Sequence, residues 1–175
     1  MSSIGVLGAN GRMGRALITV ANEQQLNLTA ATVRPGSDLL GVDAGELAGI
    51  GKLGVPLSAT GADSIKQADI WVDFTMPEAM LAHLQLALAA GKAMVIGVTG
   101  LTDAQYQQVQ QAAKHIPIVW APNMSVGVNL LLHLVQTAAK VMGQTADIEI
   151  IEAHHRFKKD APSGTALAIG ASIAK

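Results

Sequence analysis

The stretch SIGVLGANGRMGR, residues 3–15, decides the fold, because a short apolar run passes through a glycine turn directly into a helical pattern. Residues 3–8 predict a buried β-strand, and residues 12–24 predict an α-helix. Gly8, Gly11 and Gly14 form a G-x-x-G-x-x-G pattern between them. In such a unit the glycines permit a tight turn and close approach of a phosphate, and the helix N-terminus favours an anion. The stretch therefore predicts a dinucleotide site, with a tight turn that binds no ligand as the alternative.

The rest of the chain alternates short apolar runs with longer helical patterns. Strands are predicted at residues 26–33, 68–75, 92–100 and 116–122, and helices at residues 77–91, 102–115, 125–143 and 163–175. Pro77 and Gly91 mark the ends of one helix, and Thr102 is a predicted N-cap. Continuous apolar strands separated by helices predict an α/β fold, a Rossmann-type doubly wound parallel sheet covered on both faces. Residues 36–60 are glycine-rich, show little periodicity and are predicted to be a loop.

A second region of different character is predicted after this sheet. In ADIEIIEAHH, residues 146–155, acidic residues alternate with isoleucines, which is typical of a half-exposed strand. We therefore expect the incomplete start of an α+β domain there, with the boundary between residues 125 and 126.

The composition excludes several classes of protein. The formal net charge of −1 and an aromatic content of 3% argue against nucleic-acid binding. The absence of cysteine excludes disulfides, thiolate catalysis and Cys-ligated zinc, and no metal-ligand spacing is seen, so no metal is predicted. The most apolar run, residues 126–135, is too short to span a bilayer and contains Asn129 and His133. The expectation is a soluble cytoplasmic protein that binds neither nucleic acid nor membrane.

The ends of the predicted strands bear on the cofactor. After the second strand, an acidic residue would bind the ribose 2′-hydroxyl of NADH, whereas an arginine accommodates the 2′-phosphate of NADPH. Val33 offers no acceptor and Arg34 is positive, which favours NADPH with NADH still possible; an ordinary exposed turn arginine is the alternative. Residues 97–99 and 121–124 are expected to line the nicotinamide half of the cleft, because ligands of open parallel sheets bind at the carboxyl ends of the strands.

The segment EAHHRFKKDAPSGTA, residues 152–166, concentrates cations within six positions: His154, His155, Arg156, Lys158 and Lys159. Cations held close together repel one another, and an anionic ligand relieves that repulsion. The segment follows an apolar strand pattern and precedes a helix start whose N–H groups and hydroxyls suit a carboxylate. Histidines and lysines also supply proton donors of different strength. From composition alone, an anion site and a solvated loop remain equally open.

Together the motifs resemble a known family. GANGRMG, VDFT, VIGVTG, APNMSVGVNLL and EAHHRFKKDAPSGTA occur in the order found in the 4-hydroxy-tetrahydrodipicolinate reductases, also called dihydrodipicolinate reductases. The resemblance covers nearly the whole chain; the last motif is highly specific, whereas the glycine turn is not. It implies an enzyme of diaminopimelate and lysine biosynthesis that passes hydride from NAD(P)H to a cyclic dicarboxylate imine, giving tetrahydrodipicolinate. Residues 1–125 would be its dinucleotide-binding domain, and residues 126–175 part of its substrate-binding, catalytic and oligomerisation domain.

The resemblance also implies roles for individual residues. His154 matches the family's proton donor and acceptor, Lys158 a second catalytic proton donor, and His155 a substrate contact. Gly164 and Thr165 match the turn that binds a substrate carboxylate. The implied cofactor contacts are Gly8, Ala9, Asn10, Gly11, Arg12, Met13, Arg34, Gly97, Val98, Thr99, Ala121, Pro122, Asn123 and Met124.

Three departures from the family pattern bear on these expectations. Some members have a histidine where this chain has Phe157, and many have an acidic residue at the position of Val33. Members also continue well past Lys175, so we expect a C-terminally truncated form that keeps cofactor binding better than catalysis. Full-length members form a homotetramer through a sheet that is mostly missing here, so we do not expect this form to assemble in the same way.

Two other functions share part of the pattern. A dehydrogenase of another small amino or hydroxy acid would also use the glycine turn, but residues 154–165 suit a dicarboxylate better. A non-catalytic NAD(P)-sensing module would need neither the two histidines nor the two lysines beside a helix start. Substrate-dependent oxidation of NADPH distinguishes a reductase from such a module.

Overall fold

The computed structural model describes residues 2–156 and 161–174. The chain divides into two compact units, Met1–Trp120 and Ala121–Lys175, and each is described by itself. The domain boundary proposed from the sequence, between residues 125 and 126, remains a prediction.

The first unit is built on a parallel sheet of six strands. The strands are β1 (Ile4–Leu7), β2 (Leu28–Val33), β3 (Leu57–Ala59), β4 (Ile70–Asp73), β5 (Ala93–Ile96) and β6 (Ile118–Trp120). They are ordered β3-β2-β1-β4-β5-β6, and every pair is parallel. This is the doubly wound order, in which the winding reverses between β1 and β4 and leaves a crevice at their carboxyl ends. The predicted fold class is confirmed.

Helices cover both faces of this sheet. They are α1 (Arg12–Glu23), α2 (Ala44–Ala48), α3 (Pro77–Ala90) and α4 (Asp103–Ala112), with a short 3₁₀ helix at Ser64–Gln67. Helix α3 begins with proline and ends at Gly91 with φ +64°, as its sequence signals predicted. Helix α4 begins at a capping box in which the Thr102 hydroxyl accepts from the Gln105 N–H and the Gln105 side chain accepts from the Thr102 N–H.

The core forms two apolar clusters on opposite faces of the sheet, because adjacent strand residues point to opposite sides. Leu7 belongs to the cluster under α3 and α4, whereas its neighbour Val6 belongs to the cluster under α1 and α2. Trp71 is fully buried in the first cluster, and its Nε1 donates to the Ile65 carbonyl at 2.8 Å. A Cβ at Gly5 would lie 2.6 Å from the Trp71 ring, so the indole requires glycine on the neighbouring strand.

Residues 36–60, predicted to be a loop, contain α2 and β3 and are organised by one carboxylate. Asp43 Oδ1 accepts from the N–H groups of Gly45, Glu46 and Leu53, and Oδ2 accepts from Gly54 and Val55. These hydrogen bonds, that from the Leu53 N–H above all, lower the pKa of Asp43 below its ordinary value of 3.8.

We expect Asp43→Asn to lower the Tm by several degrees at neutral pH, because an amide has one acceptor oxygen and cannot serve both sets of N–H groups. The folded-state pKa is depressed, so the carboxylate stabilises the fold above about pH 3.8 and this stabilisation is lost as pH falls through the folded-state pKa. The difference in Tm between Asp43→Asn and the parent chain should therefore shrink in acid. Thermal unfolding followed by circular dichroism measures it, with the exposed Asp38→Asn as control. A difference that is constant with pH would contradict this expectation.

The second unit contains α5 (Val126–Met142) and α6 (Gly164–Ile173), capped by Ser125 and Ser163. The prediction of a strand at residues 146–155 is wrong, since these residues have no strand structure. A strand requires a neighbour for its backbone hydrogen bonds, and the described residues of this unit include no strand to provide one. Ile151 of this segment is 91% exposed. Within the described part of the chain, no helix combines the length and apolarity needed to cross a membrane.

Candidate functional site

The glycine turn after β1 has a geometry that only glycine allows. Gly8 has φ +67°, in the left-handed region, and its carbonyl accepts from the Gly11 N–H at 3.0 Å. The Ala9 N–H donates to the Thr32 carbonyl of β2 at 2.8 Å, and the Ala9 side chain is fully buried. A Cβ at Gly14 would overlap the Gly8 carbonyl oxygen. Glycine at this position therefore lets α1 pack directly against the backbone of the turn.

The N-terminus of α1 is open to an anion. Its N-cap, Gly11, has no side chain to cap the first turn, and the first turn contains no acidic residue. The N–H groups at the start of a helix have no intrahelical acceptor and carry a partial positive charge. Arg12 is exposed at this end, whereas the Arg15 guanidinium is directed to the Leu47 carbonyl at 3.0 Å.

A cavity of about 290 Å³ lies over this turn, at the carboxyl ends of the adjacent strands β1 and β4. It is lined by Gly8, Asn10, Gly11, Arg12, Met13, Gly14, Phe74 and Thr75. The structure thus brings five of the six predicted contacts of residues 8–13 to one cavity, and the sixth, Ala9, packs beneath it. The place is the reversal point of the sheet, where open α/β folds bind their ligands.

Phe74 and Thr75, on the far wall of this cavity, were not among the predicted site residues. Thr75 donates from its N–H and its hydroxyl to Asp73 Oδ1, at 2.8 Å and 2.6 Å. Its Cγ2 lies 2.5 Å from the position that a Cβ on Gly8 would occupy. The DFT motif was visible in the sequence, but its position depends on β4 being the neighbour of β1, which strand patterns do not reveal.

Val33 and Arg34 end β2 in different environments. The Val33 side chain is fully buried in the core, and its carbonyl accepts from the Thr60 N–H at 3.0 Å. Arg34 is exposed, and its carbonyl accepts from the Ser37 N–H at 3.3 Å. The Arg34 side chain is therefore available to a ligand, whereas that of Val33 is not.

Residues 97–99 follow β5 and are fixed by the neighbouring strand ends. The Gly97 N–H donates to the Asp73 carbonyl at 2.9 Å, and a Cβ on Gly97 would overlap the Phe74 ring. Val98 is buried, and its carbonyl accepts from Trp120 Nε1 at 3.2 Å. Thr99 is exposed at the strand end.

The predicted contacts at residues 121–124 belong to the second unit. Asn123 Oδ1 accepts from the Ser125 N–H at 2.9 Å, and its Nδ2 donates to the Thr165 hydroxyl at 3.3 Å. Asn129 donates to the Asn123 carbonyl at 3.0 Å. Asn123 thereby joins the starts of α5 and α6, whereas Pro122 and Met124 are exposed.

The cationic segment lies beside the start of α6. Glu152 accepts from the Ser163 N–H at 2.8 Å and from the Ser163 hydroxyl at 2.5 Å, and His154 Nδ1 lies 3.6 Å from Glu152 Oε2. Ser163 also caps the helix by accepting from the Ala166 N–H. Gly164 and Thr165 form the first turn of α6, and His155 is exposed. The predicted catalytic Lys158 lies outside the described residues, and Glu152 was not predicted.

Two family models match the chain. Residues 2–124 match the model described as dihydrodipicolinate reductase, N-terminus, and residues 127–175 match the one described as dihydrodipicolinate reductase, C-terminus. A 4-hydroxy-tetrahydrodipicolinate reductase of Acinetobacter baumannii is 56% identical over 98% of this chain and 63% of its own length. One of Pseudoalteromonas atlantica is 55% identical over 99% of this chain and 66% of its own. The chain thus spans about two thirds of the length of these relatives.

Solved structures of other proteins are also similar to this chain. A dipicolinate-bound dihydrodipicolinate reductase from Paenisporosarcina sp. TG-14 has a TM-score of 0.70 and 30% identity, covering 99% of this chain and 66% of its own. An amine dehydrogenase from Mycobacterium smegmatis, with a TM-score of 0.63 and 19% identity over 84% of this chain and 45% of its own, shares the fold. From the match of both family models across the chain and from these relatives, the chain belongs to the dihydrodipicolinate reductase family.

Proposed function

We propose that this chain is the dinucleotide-binding region and the start of the catalytic region of a reductase that converts 4-hydroxy-tetrahydrodipicolinate to tetrahydrodipicolinate with NAD(P)H. The observation that carries the proposal is the open glycine turn at the reversal point of the sheet, in a chain that also has a cationic segment beside a helix start. The first feature suits a pyrophosphate, and the second suits a carboxylate.

The residues of the first unit fit a nicotinamide dinucleotide. Gly8 and Gly14 allow the tight turn and the close packing of α1 against it, and the uncapped start of α1 offers N–H groups to the pyrophosphate. Arg12 would add a charged hydrogen bond, and Arg34 would meet a 2′-phosphate, which favours NADPH over NADH. Residues 97–99 would contact the nicotinamide half, and the family resemblance assigns residues 121–124, which belong to the second unit, to the same half of the cofactor. When bound, the dinucleotide supplies the hydride.

The residues of the second unit fit a dicarboxylate substrate, in keeping with the dipicolinate in the related structure. The N–H groups of Gly164 and Thr165 and the side chain of His155 would hold the carboxylates. Addition of hydride to a conjugated imine builds negative charge on the substrate, so an acid has to supply a proton. His154 and Lys158 would be the proton donors. For a chain of the relatives' length we propose a cytoplasmic homotetramer that works without metal, nucleic acid or membrane.

The proposal is tested by following the absorbance of NADPH. A chain extended to the length of its relatives should oxidise NADPH only when the substrate is present, and the 175-residue chain should bind NADPH but turn over more slowly. Binding without any substrate-dependent oxidation by the extended chain would favour the sensing module instead. Equal turnover by both lengths would show that residues 1–175 already contain the complete catalytic machinery.

The proposed preference for NADPH gives a separate prediction. Arg34→Ala should weaken NADPH binding about tenfold, because a charged hydrogen bond to the 2′-phosphate is lost, and should change NADH binding by no more than about twofold. Fluorescence titration with both nucleotides measures the two Kd values. Lys52→Ala, which removes an exposed cation of the first unit outside the predicted cofactor contacts, is the matched control. Equal losses for NADPH and NADH would show that Arg34 does not recognise the 2′-phosphate.

A further inference from the structure

A buried acid–histidine pair lies directly behind the dinucleotide cavity. Asp73, at the end of β4, is fully buried, and His83 of α3 is 9% exposed. His83 Nδ1 lies 2.7 Å from Asp73 Oδ2. A carboxylate in its ionised form only accepts hydrogen bonds, and with that form of Asp73 the donor of this contact is the His83 Nδ1–H. A buried carboxylate is costly unless its oxygens are hydrogen-bonded, and both Asp73 oxygens have partners, His83 at Oδ2 and Thr75 at Oδ1.

The second oxygen of the carboxylate holds the wall of the cavity. Asp73 Oδ1 accepts from both the N–H and the hydroxyl of Thr75, at 2.8 Å and 2.6 Å. These two bonds fix the rotamer of Thr75, with its hydroxyl toward Asp73 and its methyl against Gly8. The contacts therefore run without a break from α3 through His83, Asp73 and Thr75 to the glycine turn.

The backbone of Asp73 reaches the other predicted cofactor segment of the first unit. Its carbonyl accepts from the Gly97 N–H at 2.9 Å, at the end of β5. Asp73 therefore contacts both Thr75, on the wall opposite the glycine turn, and Gly97, the first of residues 97–99. A shift of Asp73 would displace both.

We propose that Asp73 and His83 are positioning residues for the dinucleotide: His83 fixes the Asp73 carboxylate, which holds Thr75 against Gly8 and so sets the shape of the pyrophosphate cavity. The inference rests on the proposed function, since NADPH is the ligand in both. Neither residue needs to touch the nucleotide, because each acts through Thr75. The competing explanation is that the pair only stabilises the fold.

The two explanations differ in what the variants do to binding. His83→Leu should raise the Kd for NADPH about tenfold or more, whereas His83→Asn should stay within about threefold, because the amide nitrogen of asparagine replaces Nδ1 as a donor to Asp73. Thr75→Val keeps the branched shape but loses the hydroxyl, and it should raise the Kd about fivefold. Since both changes act through one carboxylate, the double variant should raise the Kd by less than the product of the two single effects.

The experiment measures the Kd by fluorescence titration and the Tm by thermal unfolding for the same protein samples. Leu84→Val is the control, because Leu84 is a fully buried neighbour on α3 that belongs to the apolar core, so its variant should lower the Tm without changing the Kd. If His83→Leu does not fold, Thr75→Val and His83→Asn still provide the comparison. An unchanged Kd in both His83→Leu and Thr75→Val, with NADPH bound normally by the parent chain, would overturn this inference but not the proposed function. A parent chain that does not bind NADPH would overturn the proposed function.

Discussion

Replacing His154 by glutamine, in a chain extended to the length of the relatives, is expected to lower kcat by about 10²–10⁴-fold and to leave the Kd for NADPH unchanged. Glutamine still forms hydrogen bonds but cannot deliver a proton to the reduced substrate. The structure places His154 Nδ1 3.6 Å from Glu152, which is itself bound to Ser163 at the start of α6. The proposed proton donor and the proposed carboxylate turn therefore both lie near one side chain, that of Glu152.

The measurement is the initial rate of NADPH oxidation at saturating substrate. His115→Gln, an exposed histidine of the first unit, is the control and should keep a normal kcat. Lys158→Met should lose activity to a similar degree, an expectation that comes from the family resemblance since Lys158 lies outside the described residues. Normal turnover by a His154→Gln, Lys158→Met double variant would show that the proton comes from elsewhere.

Replacing Gly8 by alanine is expected to weaken NADPH binding about 100-fold and to lower the Tm. The backbone at φ +67° is already unfavourable for alanine, and the new Cβ would lie 2.5 Å from Thr75 Cγ2. Thr75 cannot easily move aside, because its N–H and hydroxyl are both bound to Asp73. The turn itself must therefore shift, and the N–H groups that would receive the pyrophosphate shift with it.

Two further variants separate backbone strain from the steric contact. Gly91→Ala has the same kind of strain, with φ +64°, but a Cβ there meets no atom within 4 Å and Gly91 is not a predicted cofactor contact, so NADPH binding should remain normal. Adding Thr75→Ser to Gly8→Ala removes the opposing methyl while keeping the hydroxyl, and it should restore part of the binding. NADPH titration gives the Kd and thermal unfolding gives the Tm of each variant. Normal NADPH binding by Gly8→Ala would contradict the assignment of the glycine turn as the pyrophosphate site.

Signals confined to a few neighbouring residues predicted structure well. Examples are the proline and glycine at the ends of α3, the Thr102 cap of α4 and the glycine turn after β1. Each of these signals involves only residues that are close together in the sequence, so the sequence alone is sufficient to predict the local structure. The parallel sheet followed from apolar strands that alternate with helices. These features were sufficient to predict the fold class and the place of the cavity.

The features that could not be predicted from the sequence depend on contacts between residues that are far apart in the chain. Asp43 orders residues 44–55 through five backbone N–H groups, so α2 and β3 arise without the periodicity that predicts elements. Thr75 enters the site because β4 lies beside β1, and Glu152 because it reaches Ser163. The predicted strand at residues 146–155 had the right alternation, but alternation cannot supply the neighbouring strand that pairing requires.

The way in which the helices of the first unit are capped has a consequence for where an anion can bind. Helices α2 and α4 begin with an acceptor of their own, the Asp43 carboxylate and the Thr102 hydroxyl. The first turn of α3 has a proline, which lacks one N–H, and the acidic Glu78, which repels an anion. Helix α1 begins with glycine and has no internal acceptor. A phosphate group approaching this unit therefore meets competition from the chain's own side chains at α2 and α4, but none at α1. Selectivity for one helix start among several is thus encoded by the residues at the starts of the other helices.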